Sequence, residues 1–260
     1  MKDTTPYPWR LFLLLLGAAL FGAIAVIPYS LELSADFLRR VPLPMPLWLV
    51  ILLQCVQGAI FFTVAVGIGL LVARKLGLGA PILENWIYQR GQAVSTDGLL
   101  GSVIAGAVVG VLVVVIARVV FFPLIPQLAA HGEGAMPLWK RLLACFYGAF
   151  DEEILMRLFL LSLVLWLLAK IGRIQNIQDS LLVFWAANVL VAVLFGLAHL
   201  PAAKLIMPIN SLTLSYIISL NGLAGLLFGY LFFRRGLEFA MIAHFSADVV
   251  LHVIAPTVVR

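Results

Sequence analysis

Long apolar runs separated by short polar stretches recur along the whole chain. Each run is nearly free of charges and about 20 residues long, the length of helix that crosses about 30 Å of hydrocarbon. The predicted fold class is therefore all-α, a polytopic integral membrane bundle of about seven transmembrane helices. The predicted spans are Leu11–Leu31, Leu47–Ala73, Leu99–Pro123, Leu142–Ala169, Leu181–Met207, Leu212–Phe233 and Phe239–Ile254.

Composition supports the membrane assignment and excludes several classes of protein. Of the 260 residues, 63% are hydrophobic and 11% are charged, against about 45–50% and about 25% in soluble domains. Cys55 and Cys145 both lie in apolar runs, so we interpret them as core residues and not as a disulfide or metal framework. The basic residues fall in short loops, as in ordinary membrane proteins, and no basic patch is interleaved with aromatics. The expected surroundings are a lipid bilayer, and no nucleic-acid partner is expected.

The sequence DEEILMR, residues 151–157, puts ions in the middle of the fourth apolar run. Asp151, Glu152, Glu153 and Arg157 are the charged residues between positions 142 and 169. A charge at mid-bilayer is costly, so such a residue is a functional candidate and predicts a polar cavity inside the membrane. On an α-helix Glu153 and Arg157 are about 40° apart and can pair, whereas Glu152 lies about 140° from Arg157 and is left for other partners.

Two readings of this charge cluster remain open at this point. The cluster can be a structural knot of ion pairs that joins helices, with Arg118 on the third span as a second cation. Alternatively, Glu152 is a chemical group, and late histidines favour this reading. His199 lies in the fifth predicted span, four residues after Phe195. His244 lies in the seventh span, and Asp248 and His252 follow it at i+4 spacing on the same face of the helix.

These three motifs, in this order and each on its own apolar span, resemble the signature of the CAAX-protease and bacteriocin-processing (CPBP, or Abi) family, which includes the type II CAAX prenyl endopeptidase. The matching residues are Glu152-Glu153-x-x-x-Arg157, then Phe195-x-x-x-His199, then His244-x-x-x-Asp248. The resemblance covers about residues 142–256, and the first three spans carry no part of it. We therefore expect two parts, with transmembrane helices and an interfacial connection in 1–137 and family-like catalytic helices in 138–260.

The resemblance implies an intramembrane endopeptidase of the glutamate type. In that family the first glutamate and the second-motif histidine activate a water, which here assigns Glu152 as general base and His199 as its partner. His244 and Asp248 would hold the oxyanion, while Glu153, Arg157 and Phe195 would have orienting roles. The implied reaction uses no metal or other cofactor. The implied substrate is a membrane-associated protein or peptide, of prenylated CAAX type or of bacteriocin type, and the expected location is the cell membrane of a prokaryote.

This chain departs from the family in its third motif, which commonly ends in Asn and here ends in Asp248. Family members often have eight spans, and seven are predicted here. A further condition concerns depth, because His199 lies late in its span and His244 early in a parallel one. We expect the two to meet because the fifth helix continues past Pro201 toward Met207.

Three alternative functions are compatible with the same residues. The first is a zinc-dependent membrane hydrolase with ligands drawn from Glu152, His199, His244, Asp248 and His252, although no HExxH motif is present. The second is a non-proteolytic membrane scaffold or bacteriocin-immunity protein. The third is a transporter with a buried proton relay, which would more often show an internal repeat.

Overall fold

Seven long apolar helices build the described part of the fold, as the hydropathy pattern predicts. The structure is a computed structural model, which describes residues 6–89, 98–125, 128 and 136–258. That part of the chain is all-helical, so the predicted polytopic bundle is confirmed. The seven spans, numbered in chain order, are Trp9–Leu33, Leu47–Lys75, Gly98–Phe121, Leu138–Ile171, Leu181–Ala203, Ser211–Arg235 and Leu237–Thr257.

Short helices join the spans at their ends. Ala35–Arg40 follows span 1, and Pro81–Tyr88, called here the connecting helix, follows span 2. Residues 90–97 complete the connection that the sequence predicts to lie along the membrane interface, and they lie outside the described residues. Most of the segment before residue 137, where the two predicted parts would join, also lies outside them, so the division into two parts stays a prediction.

The prediction for span 5 was wrong in one respect, because its helix ends at Ala203 and does not reach Met207. Pro201 has no backbone N–H, and the main chain tightens after it into three-residue turns from Leu205 N to Ala202 O and from Ile206 N to Ala203 O. Met207 also precedes Pro208, a position at which helical backbone angles are disfavoured.

Spans 4 and 7 pack against each other and carry most of the polar side chains of interest. Span 7 also packs on spans 3 and 6, and span 4 on spans 1 and 2. Span 3 approaches span 7 closely through glycine: a Cβ atom on Gly110 would lie 2.9 Å from the backbone oxygen of Ala247. Small residues at such crossings let helix backbones meet, which is how membrane helices commonly associate. Span 3 therefore supports the helix that holds the third motif, and spans 1 and 2 support the helix that holds the first.

Wide π-helical turns interrupt spans 4 and 7 beside the motifs. They cover Gly148–Glu152 and Ile154–Leu161 in span 4 and Val249–Ile254 in span 7. Such turns are rare and occur frequently at functional sites, because they change the direction in which successive side chains point. The sequence pattern did not predict them.

Candidate active site

The Glu152 carboxylate lies between two histidines from different spans. Its Oε1 is 3.7 Å from His199 Nε2, and its Oε2 is 3.6 Å from His244 Nε2. These distances exceed direct hydrogen bonds and leave all three groups within reach of one bridging water. The structure thus brings together the three side chains that the motifs predicted to meet.

His199 reaches this position because its ring folds back over the preceding turn. Its Nδ1 lies 2.8 Å from the carbonyl oxygen of Phe195. The backbone N–H of His199 bonds instead to Gly196 O, at 3.1 Å, near the break before Pro201. A carbonyl can only accept, so Nδ1 carries the proton, and Nε2 of the neutral ring is an acceptor facing Glu152. This folding back, and not a longer helix, lets His199 meet Glu152.

Glu153 has two partners, one of which the sequence did not predict. Its Oε1 forms the expected ion pair with Arg157 Nη1 at 3.1 Å. The same oxygen accepts a hydrogen bond from His244 Nδ1 at 2.7 Å. His244 therefore donates from Nδ1, and its Nε2 can donate to an oxyanion only when the ring is in the imidazolium form.

Aromatic rings enclose Arg157 and His244. The guanidinium of Arg157 lies 4.9 Å from the ring centre of Phe195 and 5.5 Å from that of Phe228. Phe228 also stacks on His244, with ring centres 4.4 Å apart and planes at 20°. Arg157 Nη2 donates to Gly225 O at 3.1 Å. The motifs missed Phe228 and Gly225, although both lie in the glycine-rich sequence GLLFGYLFF that precedes the third motif.

Asp248 lies one turn after His244, with its Oδ1 3.6 Å from His244 Nε2. Gly148 of span 4 makes room for it. A Cβ atom at Gly148 would overlap Asp248 Oδ2 and would lie 3.0 Å from His244 Nε2. Asp248, His244 and Glu152 therefore share one small volume beside a glycine.

Part of this cluster is exposed at the surface of the helix bundle, and the rest is buried. The side chains of His199 and Glu152 are 32% and 19% exposed, whereas those of Arg157 and Glu153 are 1% and 0% exposed. The outer groups are accessible for chemistry, and the buried ion pair behind them supports His244.

Two other polar candidates have aromatic neighbours. His252 packs its ring against Tyr29, with centres 5.8 Å apart, and Arg118 lies over the ring of Phe122. Within the described part of the chain, no group of three or more His, Cys, Asp or Glu side chains has the geometry of a metal site.

We expect that Gly148→Ala will lower kcat/KM about 100-fold for the peptide cleavage that the sequence resemblance implies. The added methyl group must displace Asp248 or His244, and a misplacement of about 1 Å can cost this much. Gly101→Ala is the matched control, because nothing lies within 4 Å of the added Cβ there, and it should behave as wild type. Equal rates for both variants would show that the positions of Asp248 and His244 do not matter to the reaction.

Residues 134–250 match the family model described as Type II CAAX prenyl endopeptidase Rce1-like. This part of the chain is an Rce1-like domain. It includes every side chain of the cluster around Glu152, and it confirms the resemblance to the CPBP family. No curated protein and no solved structure matches the chain. At the level of the family, this match supports a CAAX-type intramembrane protease.

The Rce1-like domain occupies less than half of the chain. It begins just before span 4 and ends within span 7. Spans 1 to 3 lie outside it, yet they pack directly on spans 4 and 7. The helices that carry the domain's polar cluster are therefore held partly by residues outside the domain.

Proposed function

We propose that the protein is an intramembrane endopeptidase of the glutamate type, which hydrolyses a peptide bond of a membrane-associated substrate. The observation that carries this proposal is the Glu152 carboxylate, which lies within 3.7 Å of one histidine and 3.6 Å of another. One water at this point can contact the base and its partner at the same time. An organised base is what amide hydrolysis needs, because water alone is a poor nucleophile.

In the proposed reaction, Glu152 removes a proton from a water that His199 Nε2 orients. The water oxygen forms a bond to the scissile carbonyl carbon, and the carbonyl electron pair moves to its oxygen. His244 in the imidazolium form donates from Nε2 to this oxyanion, while Glu153 holds the other side of the ring. Glu152 then gives its proton to the departing amine nitrogen as the C–N bond breaks, which restores the carboxylate.

We propose that Asp248 is protonated and acts as a second donor to the oxyanion. An ionised carboxylate only accepts hydrogen bonds and would oppose a developing negative charge. The competing role, in which an ionised Asp248 orients His244, has less support. Glu153 is the nearer carboxylate to His244, at 2.7 Å, whereas Asp248 lies 3.6 Å from the same ring.

We expect that Asp248→Asn will retain activity, because the amide replaces one donor with another. The variant should also lose any fall in rate at high pH that ionisation of Asp248 causes in wild type. The pH–rate profiles of the two proteins are the measurement. An Asn variant with less than one tenth of wild-type activity at every pH would favour the orienting role.

The proposed function is tested by cleavage of a peptide library, prenylated and unprenylated, by the purified protein in detergent or liposomes. Cleavage that Glu152→Gln abolishes supports the proposal, and the preferred peptides identify the substrate as CAAX-like or bacteriocin-like. Cleavage that chelators stop, with metal bound at unit stoichiometry, would support the zinc hydrolase instead. A scaffold or immunity protein would cleave nothing and would keep its function without Glu152.

A further inference from the structure

The start of span 7 is fastened to the connecting helix by several contacts. Leu237 N donates to Gly79 O at 2.9 Å. Leu83 N donates to Glu238 Oε1 at 2.8 Å. Between these contacts, Gly236 has a φ of +118°, and a Cβ atom there would overlap Pro81. The turn between spans 6 and 7 is thus shaped to receive the beginning of the connecting helix.

Glu238 lies at the N-terminal ends of two helices. It is the second residue of span 7, and its carboxylate caps the first turn of the connecting helix at Leu83. A helix N-terminus has unpaired N–H groups and a partial positive charge, so a carboxylate stabilises both ends at once. Glu238 is 8% exposed, which limits the screening of this interaction by water.

The connecting helix is held in turn by helices outside the Rce1-like domain. Its last residue, Tyr88, accepts a hydrogen bond from Leu11 N of span 1 at 3.3 Å. In the turn that leads from span 2 to this helix, Leu78 N donates to Ala73 O of span 2 at 2.9 Å. Glu238 therefore joins the first turn of span 7 to a unit made of spans 1 and 2 and the connecting helix.

The position of this first turn determines where His244 lies. His244 follows Glu238 by six residues, which is about 9 Å along an α-helix. A helix is stiff over this length, so a shift or rotation at Glu238 is passed on to the imidazole. His244 Nε2 is 3.6 Å from Glu152, and an error of about 1 Å at such a contact can cost 100-fold in rate.

We propose that Glu238 is a positioning residue, which fixes the depth and rotation of span 7 through the connecting helix and so directs His244 toward Glu152. Its effect on the rate rests on the function proposed above. Its effect on the position of span 7 does not.

The kinetic test compares three variants. Glu238→Ala should lower kcat at least 10-fold and change KM less than twofold, because the substrate site is retained and the donor to the oxyanion is displaced. Glu238→Gln keeps an oxygen that accepts from Leu83 N and should stay within threefold of wild type. The control is Glu32→Ala, which removes a carboxylate paired with Lys140 near the beginning of span 4. This variant should leave kcat unchanged.

A double-mutant cycle tests whether Glu238 acts through Leu83. Leu83→Pro removes the donating N–H in the first turn of a helix, where proline is best tolerated. If the two residues act through one hydrogen bond, the double variant should be no slower than Glu238→Ala alone. Additive losses would overturn this part of the proposal.

A distance measurement tests the position of span 7 without any enzyme activity. Spin labels at Leu167 of span 4 and Ile254 of span 7, both exposed, are compared in a background with Cys55→Ser and Cys145→Ala. Glu238→Ala should shift the label distance by about 1–2 Å, the size of typical helix shifts, or broaden its distribution. Glu238→Gln should leave it unchanged.

The outcomes separate the two proposals. If wild type cleaves nothing, the proposed peptidase function fails, and the label distance alone decides whether Glu238 positions span 7. An unchanged distance in Glu238→Ala overturns the positioning role, whatever happens to kcat. A changed distance with unchanged kcat overturns the link to His244.

Discussion

Glu152→Gln should lower kcat for peptide cleavage about 100- to 10,000-fold, the contribution that a general base makes to catalysis. The amide has the same shape as the carboxylate, so the contacts with His199 and His244 are kept and the protein should fold as wild type. What is lost is the ability to take a proton from water. Cleavage assays and thermal unfolding on the same preparation are the measurements.

Two comparisons make the Glu152→Gln result specific. Glu32→Gln changes a carboxylate that pairs with Lys140, away from the cluster, and should keep full activity. His199→Ala should also be inactive and folded, because Glu152 then lacks its partner on the water. If Glu152→Gln cleaves peptide at the wild-type rate, Glu152 is not the base and the glutamate mechanism is wrong.

Arg157→Met should be the most destabilising of the substitutions considered, at about 3–5 kcal/mol, the range for breaking a buried ion pair. Arg157 is 1% exposed and its partner Glu153 is 0% exposed. Methionine fills part of the volume between Phe195 and Phe228 but leaves Glu153 without its guanidinium partner. The measurement is thermal unfolding in detergent, which should show a clearly lowered midpoint.

The chain contains a matched control for Arg157→Met. Arg39 pairs with Asp36 at 2.7 Å, but their side chains are 75% and 65% exposed. Exposed pairs contribute little, because water and salt screen them. Arg39→Met should therefore unfold at the wild-type temperature. Equal midpoints for Arg157→Met and wild type would mean that the buried pair does not stabilise the fold.

One contact in the structure links the stability experiment on Arg157 to the cleavage experiment. The sequence resemblance implied orienting roles for Glu153 and Arg157. Because Glu153 also contacts His244 at 2.7 Å, loss of Arg157 should also alter the electrostatics of His244, the proposed donor to the oxyanion. A lowered rate in Arg157→Met is thus expected together with the lowered stability.

The sequence by itself determined the features that depend on one helix at a time. The spans follow from the thickness of hydrocarbon and the hydropathy of each segment, so all seven were predictable. The pairing of Glu153 with Arg157 follows from i, i+4 spacing within one helix. The three motifs identified Glu152, His199 and His244 as a set, although their spacing alone did not give their distances.

Only the tertiary structure decided the contacts between helices. Glu153 and His244 are 91 residues apart in the chain, and nothing in the periodicity of either helix predicts their hydrogen bond. The stacking of Phe228 on His244, the space beside Gly148 and the cap that Glu238 places on Leu83 are of the same kind. Each depends on how deep and in which rotation two helices pack, which is set by close-packed side chains and not by the pattern along one segment. The sequence therefore identified the proposed reacting groups, and packing determined which side chains contact them.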